Sequence, residues 1–177
     1  MAKETSATTT QSPPPNQDKP EPALRTRFMS HGTLACKDID ATRKFYEEFL
    51  GLEVIRTSEI SLLVRLGGRH VYAVVKTDKP QEMPFLNHNG LDVATEAEVD
   101  RAHKLVTEQA EKWGLHRISR PFVQHGTYSF YFWDADENCW EILCNPEDGY
   151  TWLFEKGDQD GMGHLDTRFA RPEATRS

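Results

Sequence analysis

No apolar run in the 177-residue chain approaches the roughly 18 residues that cross a membrane. The N-terminus also lacks the continuous apolar core of a secretory signal, so a cytoplasmic setting is expected. Positive charge is in deficit: 21 Lys and Arg stand against 28 Asp and Glu, a formal net charge of -7. A phosphate binder needs a basic face, so nucleic acid is excluded as the main partner. Cysteine is scarce too. Cys36, Cys139 and Cys144 make an odd set without framework spacing, which argues against a disulfide scaffold and for a reducing compartment.

What is present is a polar opening, a foldable body and a mixed tail. Residues 1–26 are rich in Thr, Ser, Pro and Gln and cannot bury enough apolar area to offset their ordering entropy; a disordered tail is expected. The folded domain is expected over residues 27–146, in two modules, 27–80 and 83–146. Residues 147–177 form a second tail whose aromatic start, Tyr150–Phe154, is expected to dock and whose end is expected to stay loose.

The body carries an internal repeat. In the first half a strand over 28–36 leads into Lys37-Asp38-Ile39-Asp40, an acidic start suited to capping a helix. Ile39, Phe45, Tyr46, Phe49 and Leu50 then fall at helical spacing, and Gly51 stops the helix. In the second half a strand over 89–93 precedes a capping-box pattern, Thr95 to Glu98. Val99, Ala102, Leu105, Val106, Ala110 and Trp113 give that helix its apolar stripe before Gly114. Strand-like runs follow each helix: 52–57, 60–66 and 70–76 in the first half, and 116–118, 127–133 and 139–144 in the second. The expected fold is α+β, two βαβββ modules forming curved mixed sheets around a cleft.

Three residues occupy matched or complementary places in the repeat. His31 opens the first strand, His88 the equivalent strand, and Glu141 lies in the last one. Two imidazoles and a carboxylate on one side of a cation form the facial set associated with non-haem Fe(II), and the same donors accept Mn(II) or Zn(II). Taken singly, each has a plainer explanation as a surface hydrogen-bonding residue. Their recurrence at matched positions carries the case.

Three segments now invite comparison: HGTLACKDID from His31, Phe45-Tyr46 before Gly51-Leu52, and FYFWDADENCWE from Phe130 to Glu141. Through them the chain resembles the vicinal oxygen chelate superfamily, which includes extradiol dioxygenases, glyoxalase I, fosfomycin-modifying thiol transferases and methylmalonyl-CoA epimerases. The last segment is similar to the family's aromatic–Asp-Pro-Asp-Gly–x–x–x–Glu signature, with Ala135 in place of the proline and Glu137 in place of the glycine.

The resemblance implies a metal site of His31, His88 and Glu141. Glyoxalases and epimerases add a fourth ligand on the last strand of the first half. Here the matching place falls near Tyr72 and offers no carboxylate, while His70 is more plainly a surface residue after the Gly67-Gly68 turn. A three-ligand site favours dioxygen and a chelating substrate, so the resemblance is strongest toward extradiol dioxygenases, which cleave an aromatic diol on Fe(II). In that reading Tyr131, ten residues before Glu141, hydrogen-bonds the substrate, and His125 moves protons. His125 sits closer to the tyrosine than the family pattern has it, and a turn histidine beside Gly126 is the bland alternative. Phe122, Phe130, Trp133, Trp152 and Phe154 are candidates for an apolar lining, each with core packing as its default. Other reactions remain open: a thiol transferase of the fosfomycin-resistance type, a glyoxalase-like lyase or isomerase, or a metal-free drug-sequestering protein. A homodimer is expected, and His164 is left as a surface histidine.

Overall fold

The structure is a computed structural model that describes residues 22–24, 26–124, 126–145 and 149–158. The expectation of a disordered opening therefore falls almost wholly outside the described residues, as do His125, His164 and the end of the second tail.

The first module runs β1 (His31–Cys36), α1 (Ile39–Glu48), β2 (Glu53–Ser58), β3 (Ser61–Arg65) and β4 (Val71–Lys76). A one-turn 3-10 helix, Phe85–Asn87, ends the linker. The second module runs β5 (Asn89–Asp92), α2 (Glu96–Glu108), α3 (Ala110–Trp113), β6 (Phe122–Gln124), β7 (Thr127–Trp133) and β8 (Cys139–Cys144). A short α4 (Thr151–Lys156) follows. The sheets are ordered β1-β4-β3-β2 and β5-β8-β7-β6. In each, one parallel pair (β1 with β4, β5 with β8) joins two antiparallel ones, the mixed sheet expected of a βαβββ unit.

Local chemistry accounts for the helices. Asp38 caps α1 by accepting from the backbone N–H groups of Asp40 and Ala41. Thr95 and Glu98 close a reciprocal capping box on α2. The single second helix expected from the apolar stripe is broken at Gln109, whose φ of -105 and ψ of 8 leave the helical region, so Ala110–Trp113 forms its own turn. Gly114 ends that turn in the left-handed conformation at φ 68. The strand expected over 116–118 is only an isolated bridge from His116 to Trp133. The pairing partner of β7 is β6 instead.

Alternation along the strands sorts the faces. Leu34, Cys36, Val74, Leu62 and Val64 turn toward α1, and Trp140, Ile142, Cys144, Phe130 and Phe132 toward the helices of the second module; all are buried in one shared core. The opposite, helix-free face of the first sheet carries His31, Ala73, Val75, Leu63 and Ile55. Ile55 is 60% exposed there and Val75 38%. The opposite face of the second sheet carries Glu141, Leu143, Cys139, Ser129 and Tyr131, all buried.

The β7–β8 turn fastens the modules together. Asp136 accepts from the Lys37 backbone N–H at 2.7 Å and from Thr42 Oγ1 at 2.5 Å, both in the first module. Asn138 Nδ2 donates to the Ala35 carbonyl at 3.0 Å. Asp134 accepts from Trp140 Nε1 and from the backbone N–H groups of Asp136 and Asn138, each at 2.9 Å. Glu137 sits at φ 68, a left-handed conformation that explains why the family pattern prefers glycine there.

Candidate functional site

The site is built on β5, β7, β8 and the turn before β5. Met83 in the linker is tied to the second sheet twice: its N–H donates to the Glu137 carbonyl at 2.9 Å, and its carbonyl accepts from Trp133 Nε1 at 2.9 Å. The 3-10 helix then folds back so that the Phe85 carbonyl lies 2.8 Å from His88 Nδ1. A carbonyl only accepts, so Nδ1 carries a proton and Nε2 is the nitrogen turned to the site. His88 Nε2 lies 3.2 Å from Glu141 Oε2. The other carboxylate oxygen, Oε1, accepts from Tyr131 Oη at 2.6 Å. Gly90 pairs with Glu141 across β5 and β8, and a Cβ there would stand 3.1 Å from a Leu143 methyl and 3.8 Å from Glu141 Oε2.

Rings enclose this group. Phe85 lies 4.5 Å from the Tyr131 ring, His88 4.9 Å and Phe122 6.0 Å, centroid to centroid. Burial pushes the Glu141 carboxyl up, but hydrogen bonding, first from His88 and also from Tyr131, more than offsets it and the net shift is downward. His88 moves the other way, held protonated first by its bond to Glu141 against the opposing effect of burial. Burial, then Glu141, raises Tyr131 far above the usual phenol range, so it remains a neutral donor. Ser129 Oγ is fully buried and close enough to act on both Glu141 and Tyr131, yet it has no hydrogen-bond partner of good geometry among the described residues. Tyr150, just ahead of α4, is raised by burial and by the Glu141 charge.

Two of the three expected ligands are therefore together, and the third is not. His31 is exposed, with Ser30 Oγ at 3.2 Å, and no group of three or more His, Cys, Asp or Glu among the described residues could hold a metal. The donor chemistry of His88 and Glu141 fits a divalent cation: one neutral imidazole nitrogen and one carboxylate oxygen converge, with their other polar atoms already engaged. Register settles the question of a fourth ligand. Thr33 pairs with Ala73 two residues after His31, and Gly90 pairs with Glu141 two residues after His88. Ala73, not Tyr72, is thus the counterpart of Glu141; Tyr72 points to the helix side, where a Cβ on Gly32 would meet its ring at 2.5 Å. His70 is exposed and stacks edge-on to Tyr72 at 5.0 Å. Phe130 belongs to the core beside His103 rather than to a site wall.

A family model described as the Glyoxalase/Bleomycin resistance protein/Dioxygenase superfamily matches residues 28–142. The chain belongs to this superfamily. Solved structures agree. The fosfomycin resistance protein FosX of Listeria monocytogenes is 26% identical over 70% of this chain and 98% of its own, with a TM-score of 0.55. The same protein complexed with Mn(II) and sulfate is 25% identical over 73% and 98%, again at 0.55. A possible glyoxalase from Bacillus cereus shares the fold at 23% identity, 67% and 100% coverage and a TM-score of 0.55. No curated protein matches the chain. The leaning of the sequence toward extradiol dioxygenases is thus coarsened to the superfamily, since the relatives named here bear fosfomycin-resistance and glyoxalase names. Among the described residues no helix is long and apolar enough to cross a membrane.

Sequence reasoning missed Phe85, Gln124 and Ser129 as site residues. Ser129 was within reach, because i and i+2 on a strand share a face and Tyr131 was already singled out. Phe85 and Gln124 had no such signal, as both depend on how a turn folds.

Proposed function

We propose that this superfamily member is a divalent-metal-dependent enzyme of the fosfomycin-resistance type, transferring a thiol to a small electrophile held through adjacent oxygens. The observation that carries it is the converging pair, His88 Nε2 and Glu141 Oε2 at 3.2 Å, with Nδ1 fixed by the Phe85 carbonyl. Identity of 25% to a FosX solved with Mn(II) supports Mn(II) as the cation, with Fe(II) and Zn(II) as competitors for the same donors. The third ligand is His31 of a second copy: it stands exposed on the sheet face opposite α1, which also exposes Ile55 and Val75, and among the described residues it is not grouped with His88 and Glu141. The functional unit is accordingly a homodimer with shared sites.

A bound metal supplies Lewis acidity toward a substrate oxygen. The chain's own residues do the rest. His88, its Nδ1 fixed on the Phe85 carbonyl, would present Nε2 to the metal, where a proton and a cation would compete for the same lone pair. Tyr131, kept as a phenol, gives its one proton to Glu141 Oε1 and so holds the carboxylate in place beside the substrate position. Phe85 and Phe122 give one side an apolar rim.

The test is direct. Mn(II)-loaded protein should consume an epoxide substrate only when a thiol is present. A second reading, ring cleavage of an aromatic diol by dioxygen on Fe(II), is favoured by Tyr131 against Glu141 and by the Phe85 and Phe122 rings. A yellow ring-fission product from Fe(II)-loaded protein and a catechol, without epoxide loss, would reverse the order of the two. Protein that takes up neither Mn(II), Fe(II) nor Zn(II), with no rise in melting temperature, would leave sequestration standing instead.

A further inference from the structure

We propose that Gln124 is a positioning residue for the Glu141 carboxylate, acting through the Tyr131 hydroxyl. The inference rests on the reading of His88 and Glu141 as metal ligands. Gln124 ends β6 and pairs with Thr127 across a tight hairpin, on the same face as Tyr131. Its backbone carbonyl is pinned by Thr127 Oγ1 at 3.0 Å, so only the side chain is left to choose a direction. That side chain donates from Nε2 to Tyr131 Oη.

The chain of bonds has one permitted polarity. A carboxylate only accepts, so the single proton of Tyr131 goes to Glu141 Oε1, 2.6 Å away. The phenol oxygen then has lone pairs to offer and no second proton. An amide carbonyl facing it would be repelled, so Gln124 must present its NH2 group. Gln124 donates to Tyr131, Tyr131 donates to Glu141, and each bond polarises the next. Glu141 Oε1 is thereby occupied. Oε2, facing His88 Nε2 at 3.2 Å, is the oxygen left for a cation. Without Gln124 the phenol loses the donor that orients and polarises it, and its bond to the Glu141 carboxylate is weakened.

Mn(II) titration calorimetry and the NMR shift of the Tyr131 ring carbon bearing oxygen, the latter read in metal-free protein, test this together. Gln124→Leu and Tyr131→Phe are each expected to weaken Mn(II) binding by about tenfold, the loss typical of groups that orient a metal ligand. The double variant should bind no more weakly than Tyr131→Phe alone, because Gln124 acts through the tyrosine. The ring-carbon signal should move in Gln124→Leu while the melting temperature changes little. Wild-type affinity in Gln124→Leu, or losses that add in the double variant, would overturn the proposal. An unmoved ring-carbon signal would remove the contact itself. Wild-type protein taking up no divalent cation would instead sink the metal reading, and with it the role of Gln124 at a ligand.

Discussion

His88 is gripped from both ends, by the Phe85 carbonyl at Nδ1 and by Glu141 at Nε2, and the grip has a pH dependence whose sign can be worked out. A histidine raised above 6.5 contributes stability that is complete below that value and is lost as pH rises through the folded value. A carboxylate lowered from 4.5 contributes stability present above that value and lost as pH falls through the folded one. The metal-free pair therefore stabilises the fold fully between 4.5 and 6.5. Metal binding runs the other way on the acid side. The Nε2 proton competes with the cation, so apparent Mn(II) affinity should fall by about tenfold per pH unit below the pKa of His88. Calorimetry at a series of pH values reads this slope; a flat profile would mean His88 is not a ligand. His88→Ala and Glu141→Ala should each abolish the rise in melting temperature on adding Mn(II). At this scale the sequence was informative about titratable side chains and silent about what fixes them. His88 was singled out by its repeat position, and Glu141 and Tyr131 with the help of the resemblance to the family signature. The Phe85 carbonyl belongs to the backbone of a 3-10 turn, which no side-chain pattern announces, and Gln124 reaches Tyr131 only because the hairpin closes tightly.

Among the elements, the β7–β8 turn links sequence signature to packing. Asp134 is almost wholly buried, and burial, opposed by its hydrogen bonds, pushes its carboxyl up to about 6. A raised carboxyl contributes stability that is full below 3.8 and lost as pH rises through about 6. The melting-temperature advantage of wild type over Asp134→Asn should therefore be larger at pH 5 than at pH 7; equal differences would show that the group does not titrate there. Helix caps give a smaller, cleaner effect. Thr95→Ala removes one side of the α2 capping box and should cost about 1 kcal/mol by thermal or denaturant unfolding. Helix starts were readable because caps are chemical signals. The break at Gln109 was not, since nothing in the apolar stripe marks a change of backbone angle. Nor was β6, whose Phe122-Val123-Gln124 has too few residues to show a period, whereas His116–Ile118 has the strand-like composition and yields only a bridge.

For the molecule as a whole, the repeat predicted two equivalent modules, and register supports the equivalence: His31 begins β1 and His88 immediately precedes β5, each two residues before the partner of Ala73 or Glu141. What the repeat could not convey is that equivalent positions need not meet within one chain. The shared-site proposal makes a prediction that single-chain chemistry does not. His31→Ala and Glu141→Ala homodimers should each be inactive, but mixed dimers carry one intact site, so mixing the two variants should restore roughly a quarter of wild-type activity per chain if subunits exchange randomly. No recovery after verified exchange would place all the ligands in one chain. Sedimentation should show a dimer of the 20.3 kDa chain, weakened by Ile55→Lys on the exposed sheet face.

Every residue of β8 is buried, with core on one side and the site on the other. A strand with no solvent-facing side has no positions at which substitutions accumulate freely, so Cys139–Cys144 is a poor place for new specificity to arise. Exposed rims are different: Phe85, Leu86, Phe122 and Val123 lie within or beside the ring cluster and carry little of the core. Selection for a new substrate, in nature or in a library, should change those four residues first and leave the buried strand untouched.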